Sequence, residues 1–166
     1  KNVSGGSSSL GAPATTANGT IDVGDATTTG TLRFTGTADA TSNRVINLAS
    51  TTGGAIIESS SATHNKLVLT ANLTATGPGD KTLTLAGTST GANEISGILT
   101  NSTGFKTSVT KTGTGTWALS GANTCTGVTS VNAGTLVRKA AIIVDSADVS
   151  LNTGATLNLP FAGTDD

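Results

Sequence analysis

The chain has 166 residues, of which only 11% are charged, and its net charge is −1. Its nine Lys and Arg residues are scattered, which argues against nucleic acid or an anionic membrane as a partner. Aromatic residues make up only 2%, while Thr (34 residues) and Gly (22) dominate, so we expect a thin core of Leu, Ile, Val and Ala rather than a compact aromatic one.

Membrane insertion is not expected, because no apolar run approaches the roughly 18 residues of a membrane-spanning helix. The first residues, Lys1 to Ser4, do not form a signal peptide, so an exported protein would already have lost its signal. Cys125 is the only cysteine, which excludes an intrachain disulfide and a cysteine zinc site.

Residues 1–19 are rich in Gly, Ser, Thr and Ala and have no apolar period. This composition predicts a flexible arm or linker. From residue 20 onward, short segments of alternating apolar and polar residues are separated by Gly, Asn, Asp or Ser, which predicts strands and turns with almost no helix. The predicted strands span 20–24, 31–36, 44–49, 55–59, 66–73, 81–87, 94–99, 108–113, 116–121, 129–134, 135–138, 141–145, 149–154 and 156–161.

Several of these segments resemble one another, among them GTLRFTG, KTLTLAG and GTWALSG. Internal similarity of short strands predicts an all-β solenoid. With two or three strands in each coil of roughly 20–30 residues, residues 20–166 should form roughly six or seven irregular coils. Inward Leu, Ile and Val, including Leu119, would stack between coils, whereas Thr116 would face outward.

Residues 111–138, KTGTGTWALSGANTCTGVTSVNAGTLVR, resemble the autotransporter-associated β-strand repeat of bacterial passenger domains. Cys125 stands where that pattern usually has Tyr, and Val128 where it has a second Gly. The resemblance implies a right-handed parallel β-helix, exported to the cell surface or secreted, that acts as a scaffold without catalytic activity. The matching positions are Gly113, Gly115, Leu119, Ser120, Gly121, Asn123, Thr124, Thr126, Gly127, Val131, Gly134, Thr135 and Leu136.

No catalytic, metal or cofactor site is predicted, because the ten acidic residues are spread along the chain. The closest acidic pairs, Asp22 with Asp25 and Asp145 with Asp148, are as typical of turns as of a site. His64 lies in a polar turn with no second histidine, which favours an exposed loop residue. Cys125 is expected to fill a coil corner.

Open solenoid ends expose unpaired backbone groups. We therefore predict a structural subunit of a bacterial surface fibre, which associates head-to-tail with copies of itself and can exchange its 1–19 arm. The alternatives are a passenger or adhesin stalk, a degenerate polysaccharide-processing β-helix, and a flat Thr-rich module that binds surface glycans or ice. An ice-binding face would need one Thr-x-Thr pair per coil, and the spacing of these pairs varies widely.

Overall fold

The computed structural model describes residues 11–139 and 148–160. Within these ranges the chain forms fifteen short strands and one helical turn, α1 (Thr16–Gly19). The predicted strand at 141–145 and Phe161 lie outside the described residues. None of the described residues belongs to a helix long and apolar enough to cross a membrane. The prediction of an all-β solenoid with almost no helix is confirmed.

The strands form three parallel sheets that wind together around one axis. Sheet A contains β1 (Ile21–Val23), β4 (Ile46–Leu48) and β7 (Thr74–Ala75). Sheet B contains β2 (Gly30–Phe34), β5 (Gly54–Ser59), β8 (Lys81–Ala86), β10 (Thr107–Lys111), β12 (Thr129–Val131) and β14 (Val149–Leu151). Sheet C contains β3 (Ala40–Ser42), β6 (Leu67–Leu69), β9 (Asn93–Ile95), β11 (Thr116–Leu119), β13 (Thr135–Arg138) and β15 (Thr156–Asn158).

The coils shorten along the chain. Thr31 lies opposite Ile56, which is 25 residues later, whereas Val109 lies opposite Thr129, only 20 residues later. The shortening follows the end of sheet A at β7, after which the described coils have only two named strands. The six strands of each long sheet give about five turns, compared with the six or seven predicted for residues 20–166.

Side chains of alternating strand positions fill the core. Leu83 and Leu85 of β8 are fully buried, while Thr82 and Thr84 between them are partly exposed. Leu83 lies between Ala55 and Val109 of the neighbouring coils, so each inward residue stacks on its counterparts about 4.8 Å away.

The repeat at 111–138 contributes its own inward residues to this core. Leu119 is buried, as its place in the repeat predicted, and Trp117 packs inside with its indole Nε1 donating to the carbonyl of Ala86 at 2.9 Å. Thr116 is only partly buried. The alternation read from the sequence therefore gives the correct face for these three neighbours.

Two strands were not predicted. β3 (Ala40–Ser42) and β7 (Thr74–Ala75) contain no large apolar residue, so neither has an alternating pattern of its own. Each forms because a neighbouring coil aligns it: Thr41 pairs with Val68, and Ala75 with Leu48. Their conformation is set by tertiary context rather than by local propensity.

Part of the predicted arm contacts the first coil. The carbonyl of Gly11 accepts a hydrogen bond from Arg44 Nη2 at 3.1 Å, and Arg44 is only 4% exposed. The Thr15 hydroxyl caps α1 by accepting from the N–H of Asn18 at 3.2 Å. Residues 1–10 lie outside the described residues, and the flexibility of the 1–19 arm stays a prediction.

Candidate functional surfaces

The acidic residues serve the fold. The Asp22 carboxylate accepts from Asn47 Nδ2 at 2.8 Å, and the Asp25 carbonyl accepts from the N–H of Thr28 at 2.7 Å in a turn. Asp145 lies outside the described residues. Across the described ranges, no group of three His, Cys, Asp or Glu side chains could hold a metal ion.

Two glutamates connect neighbouring coils at the surface. Glu58 accepts from Ser60 Oγ at 2.6 Å and pairs with Arg33 at 2.9 Å. The hydrogen bond from Ser60 is the largest influence on the pKa of Glu58, and with Arg33 it outweighs burial and keeps that pKa below its usual value. Both partners therefore favour a permanently charged Glu58.

Glu94 makes the same kind of contacts on sheet C. It accepts a short hydrogen bond from Ser120 and pairs with Lys139 at 2.9 Å, two coils further along. Burial raises the pKa of Glu94, but the contacts with Ser120 and Lys139 outweigh it, so that pKa lies below its usual value. Lowered carboxyl pKa values of this origin indicate structural ion pairs and not a general acid.

His64 and Cys125 occupy the kinds of position that the sequence indicates. His64 is exposed in a turn, with φ +58°, and its Nδ1 lies 3.1 Å from the Thr90 hydroxyl of the next coil. Cys125 is a free, buried cysteine in the core cluster. Burial raises the pKa of its thiol, which keeps the less reactive protonated form.

Two lysines point into the solenoid, and sequence reasoning missed both. Lys81 Nζ donates to the carbonyls of Thr51, Pro78 and Gly79 at 3.1, 2.6 and 3.0 Å. Burial lowers the pKa of Lys81, and the neighbouring Asp80 opposes that change. The alternation of the strand could have revealed it, since Lys81 is two residues from the inward Leu83.

Lys111 repeats this arrangement one coil later. The residue is fully buried, lies between Leu85 and Val131 in the stack, and turns its ammonium to the corner carbonyls. Burial lowers the pKa of Lys111 to about 8. Each interior lysine thus fixes a coil corner through neutral acceptors.

Buried asparagines also bridge coils. Asn93 is fully buried, and its Oδ1 accepts from the N–H of Leu67 at 2.9 Å while its Nδ2 donates to the carbonyl of Thr116 at 2.9 Å. Asn123 accepts from the N–H of Leu99 at 2.8 Å in the same way. One side chain therefore connects three successive coils around β9.

Outward hydroxyl groups align on sheet B, where one column runs through Thr84, Thr110, Ser130 and Ser150. The next position towards β5 is Ile56, and on β12 Thr129 faces the core. In the described part of this face, a pair of hydroxyl side chains per coil is therefore limited to β8 and β10. That pattern lacks the constant repeat that an ice-binding array needs.

A shallow cleft opens where sheet A ends. Its volume is about 390 Å³, and turns of two successive coils form its walls. Its lining includes Thr76, Gly77, Pro78, Ser102, Thr103 and Phe105.

Comparison with known proteins agrees with the repeat recognised in the sequence. Residues 109–137 match the passenger-associated-transport-repeat family. The chain is 38% identical over 130 residues to the adhesin BmaC autotransporter of Brucella suis biovar 1 (strain 1330). That alignment covers 78% of this chain and 4% of the adhesin. No solved structure matches the chain.

Proposed function

We propose that this chain, an autotransporter passenger repeat protein, is a non-enzymatic spacer segment of a bacterial surface adhesin. The observation that carries this proposal is the continuous parallel pairing of sheet B, in which six strands from β2 to β14 join every described coil to the next. A passenger relative of this kind implies a location outside the cell or on its surface. Removal of a signal peptide before this location is reached belongs to the same proposal.

Stiffness is the property that such a spacer needs, and several contacts supply it. The sheets provide backbone hydrogen bonds between coils, and buried groups such as Asn93 and Lys111 add bonds at the corners. In repeat folds, stability is close to a sum of terms between nearest neighbours. A break at one corner therefore weakens one coil interface directly.

Length has to come from more coils than these. At about 4.8 Å per coil, five turns advance the chain by only about 24 Å. The chain spans 4% of the length of the adhesin relative. A long stalk built this way would use many such segments, either within one polypeptide or by stacking of separate chains.

Single-molecule pulling tests the spacer role. Tandem copies of the chain should resist force and then unfold in steps, each releasing about 70 to 95 Å as one coil of 20 to 28 residues extends at about 3.4 Å per residue. Extension without steps, at the force that stretches an unfolded chain, would contradict a load-bearing scaffold.

Head-to-tail stacking of identical chains is the finer part of the proposal. Val149 and Leu151 of β14, the last described strand of sheet B, are 48% and 53% exposed although their counterparts in β12 are buried. At the other end, Leu32 and Phe34 of β2 are partly exposed. Contact between two different ends does not close on itself, so it would propagate into a filament.

Sedimentation velocity over the micromolar range tests the stacking. The full chain should form oligomers that the Leu151→Glu variant does not form, with the exposed loop variant Thr153→Glu as the matched control. A chain lacking residues 1–19 should associate more weakly if that arm is exchanged. Monomers throughout would refute stacking and leave β14 as the seat for the next coil of a longer passenger.

A further inference from the structure

The cleft at the end of sheet A is formed by two turns that lie one above the other. The first turn, 76–79, follows β7; the second, 102–105, belongs to the next coil. Sheet A has no named strand beyond β7 in the described residues, so the wall of the solenoid steps inward at this point. This step creates the concavity.

Hydrogen bonds hold the two turns in place. Ser102 Oγ donates to the carbonyl of Gly77 at 2.6 Å, and the N–H of Phe105 donates to the carbonyl of Ser102 at 3.0 Å. From inside the solenoid, Lys81 Nζ binds the Pro78 carbonyl at 2.6 Å. The cleft is therefore pre-formed, which reduces the ordering cost of binding.

The lining combines an aromatic ring with hydroxyl groups and has no charged side chain. Phe105 is 37% exposed. The hydroxyl oxygen of Thr76 accepts from Asn47 Nδ2 at 2.8 Å, which leaves its proton free to donate. Thr103 is exposed beside it, and Ser102 Oγ can still accept a hydrogen bond after donating to Gly77.

We propose that this cleft binds one or two rings of a neutral saccharide. A pyranose ring has an apolar C–H face that suits the Phe105 ring, and equatorial hydroxyl groups that suit Thr76 and Thr103. A volume of about 390 Å³ lies at the small end of ligand sites. Charged sugars have no counter-charge in this lining. The site goes beyond a spacer role, which requires no ligand.

Titration followed by ¹⁵N-¹H correlation spectra tests the site in the full chain. The probes are methyl β-D-glucopyranoside, methyl β-D-galactopyranoside and N-acetylglucosamine, each to about 50 mM, because a small open cleft should bind with millimolar affinity. At least one probe should shift amide signals of residues 75–79 and 102–105. The same shifts should be lost in Phe105→Ala.

Val128→Ala is the matched control, because Val128 is an apolar residue with the same 37% exposure and lies outside the cleft lining. This variant should retain the shifts. The proposal is overturned if no probe gives localised shifts, if Phe105→Ala keeps them, or if only a Thr-rich peptide produces them. Circular dichroism of both variants confirms the fold, and the pulling experiment on the spacer role is independent of either result.

Discussion

The ammonium nitrogen of Lys111 lies 3.1 Å from the carbonyl oxygen of Ala133, at the corner of the following coil. It also donates to the carbonyls of Thr112 at 2.7 Å and Gly113 at 2.8 Å. An ammonium has three protons to donate, and all three meet an acceptor here. The acceptors are neutral, so the contacts satisfy the hydrogen bonds without cancelling the buried charge, which explains the lowered pKa.

Stability should therefore rise with pH through the titration of Lys111. Its pKa is about 8 in the folded chain and about 10.4 when unfolded. Between these values the unfolded chain holds the proton that the folded chain has lost, so raising the pH favours folding. We expect a gain on the order of 1 to 3 kcal/mol between pH 7.5 and 10, measured by urea unfolding.

Lys111→Met is the reference for this measurement, because it keeps an unbranched side chain and removes the titrating group. Cys125 acts in the opposite direction: its raised pKa lets the unfolded chain ionise first, which lowers stability above about pH 8.5. The difference between parent and variant at each pH cancels this contribution. A difference that does not change with pH would show that Lys111 titrates normally.

The two faces of β8 should respond differently to truncation. Leu83 is fully buried between Ala55 and Val109, so Leu83→Ala should cost about 2 to 5 kcal/mol in unfolding free energy. Thr84, the next residue, faces outward, and Thr84→Ala should cost less than about 1 kcal/mol. Equal losses in urea unfolding would contradict the assigned inward and outward faces.

Strand positions were predictable wherever apolar and polar residues alternate. The segment at 81–87 predicted β8 and its inward leucines, because a period of two specifies both strand and face. β3 and β7 were not predictable, since their residues are small or polar and depend on pairing with a neighbouring coil. The shortening of the coils also depends on pairing, because loops in the sequence do not state which strands lie opposite each other.

The surface features were less predictable than the fold. Gly77, Pro78 and Gly79 are turn residues that the sequence reveals, as does Gly104. Only the register brings 76–79 beside 102–105 and thereby forms the cleft. The same limit applies to Lys111, whose inward position follows from alternation but whose carbonyl acceptor at Ala133 lies in another coil.

Asn93 should be essential for the interface between its coils. Asn93→Ala removes the acceptor of the Leu67 N–H, and a buried donor without a partner costs about 1 to 3 kcal/mol for that group alone. We expect faster hydrogen exchange at the Leu67 amide together with lower stability. Asn158→Ala, at an exposed position of β15, is the control and should change neither. Unchanged protection of Leu67 would show that the amide has another acceptor.

A pair of glycine variants separates backbone strain from packing at the coil corners. Gly113 and Gly104 both have positive φ, +67° and +78°. An added Cβ on Gly113 would lie 2.5 Å from the carbonyl oxygen of Gly87 in the previous coil, whereas on Gly104 it would meet nothing within 4 Å. Gly104→Ala should therefore cost only the strain of a left-handed residue, about 1 to 2 kcal/mol.

Gly113→Ala should pay the same strain and also push two coils apart, because a backbone carbonyl cannot rotate away as a flexible side chain can. We expect its loss of stability in urea unfolding to exceed that of Gly104→Ala by at least about 2 kcal/mol. The carbonyl of Gly113 also accepts from Lys111 Nζ at 2.8 Å, so a shifted corner should raise the exposure of that ammonium and move its pKa back towards 10.4. Equal costs for the two variants would mean that the corner has room for a methyl group and that the close stacking of Gly113 on Gly87 does not hold the coils in register.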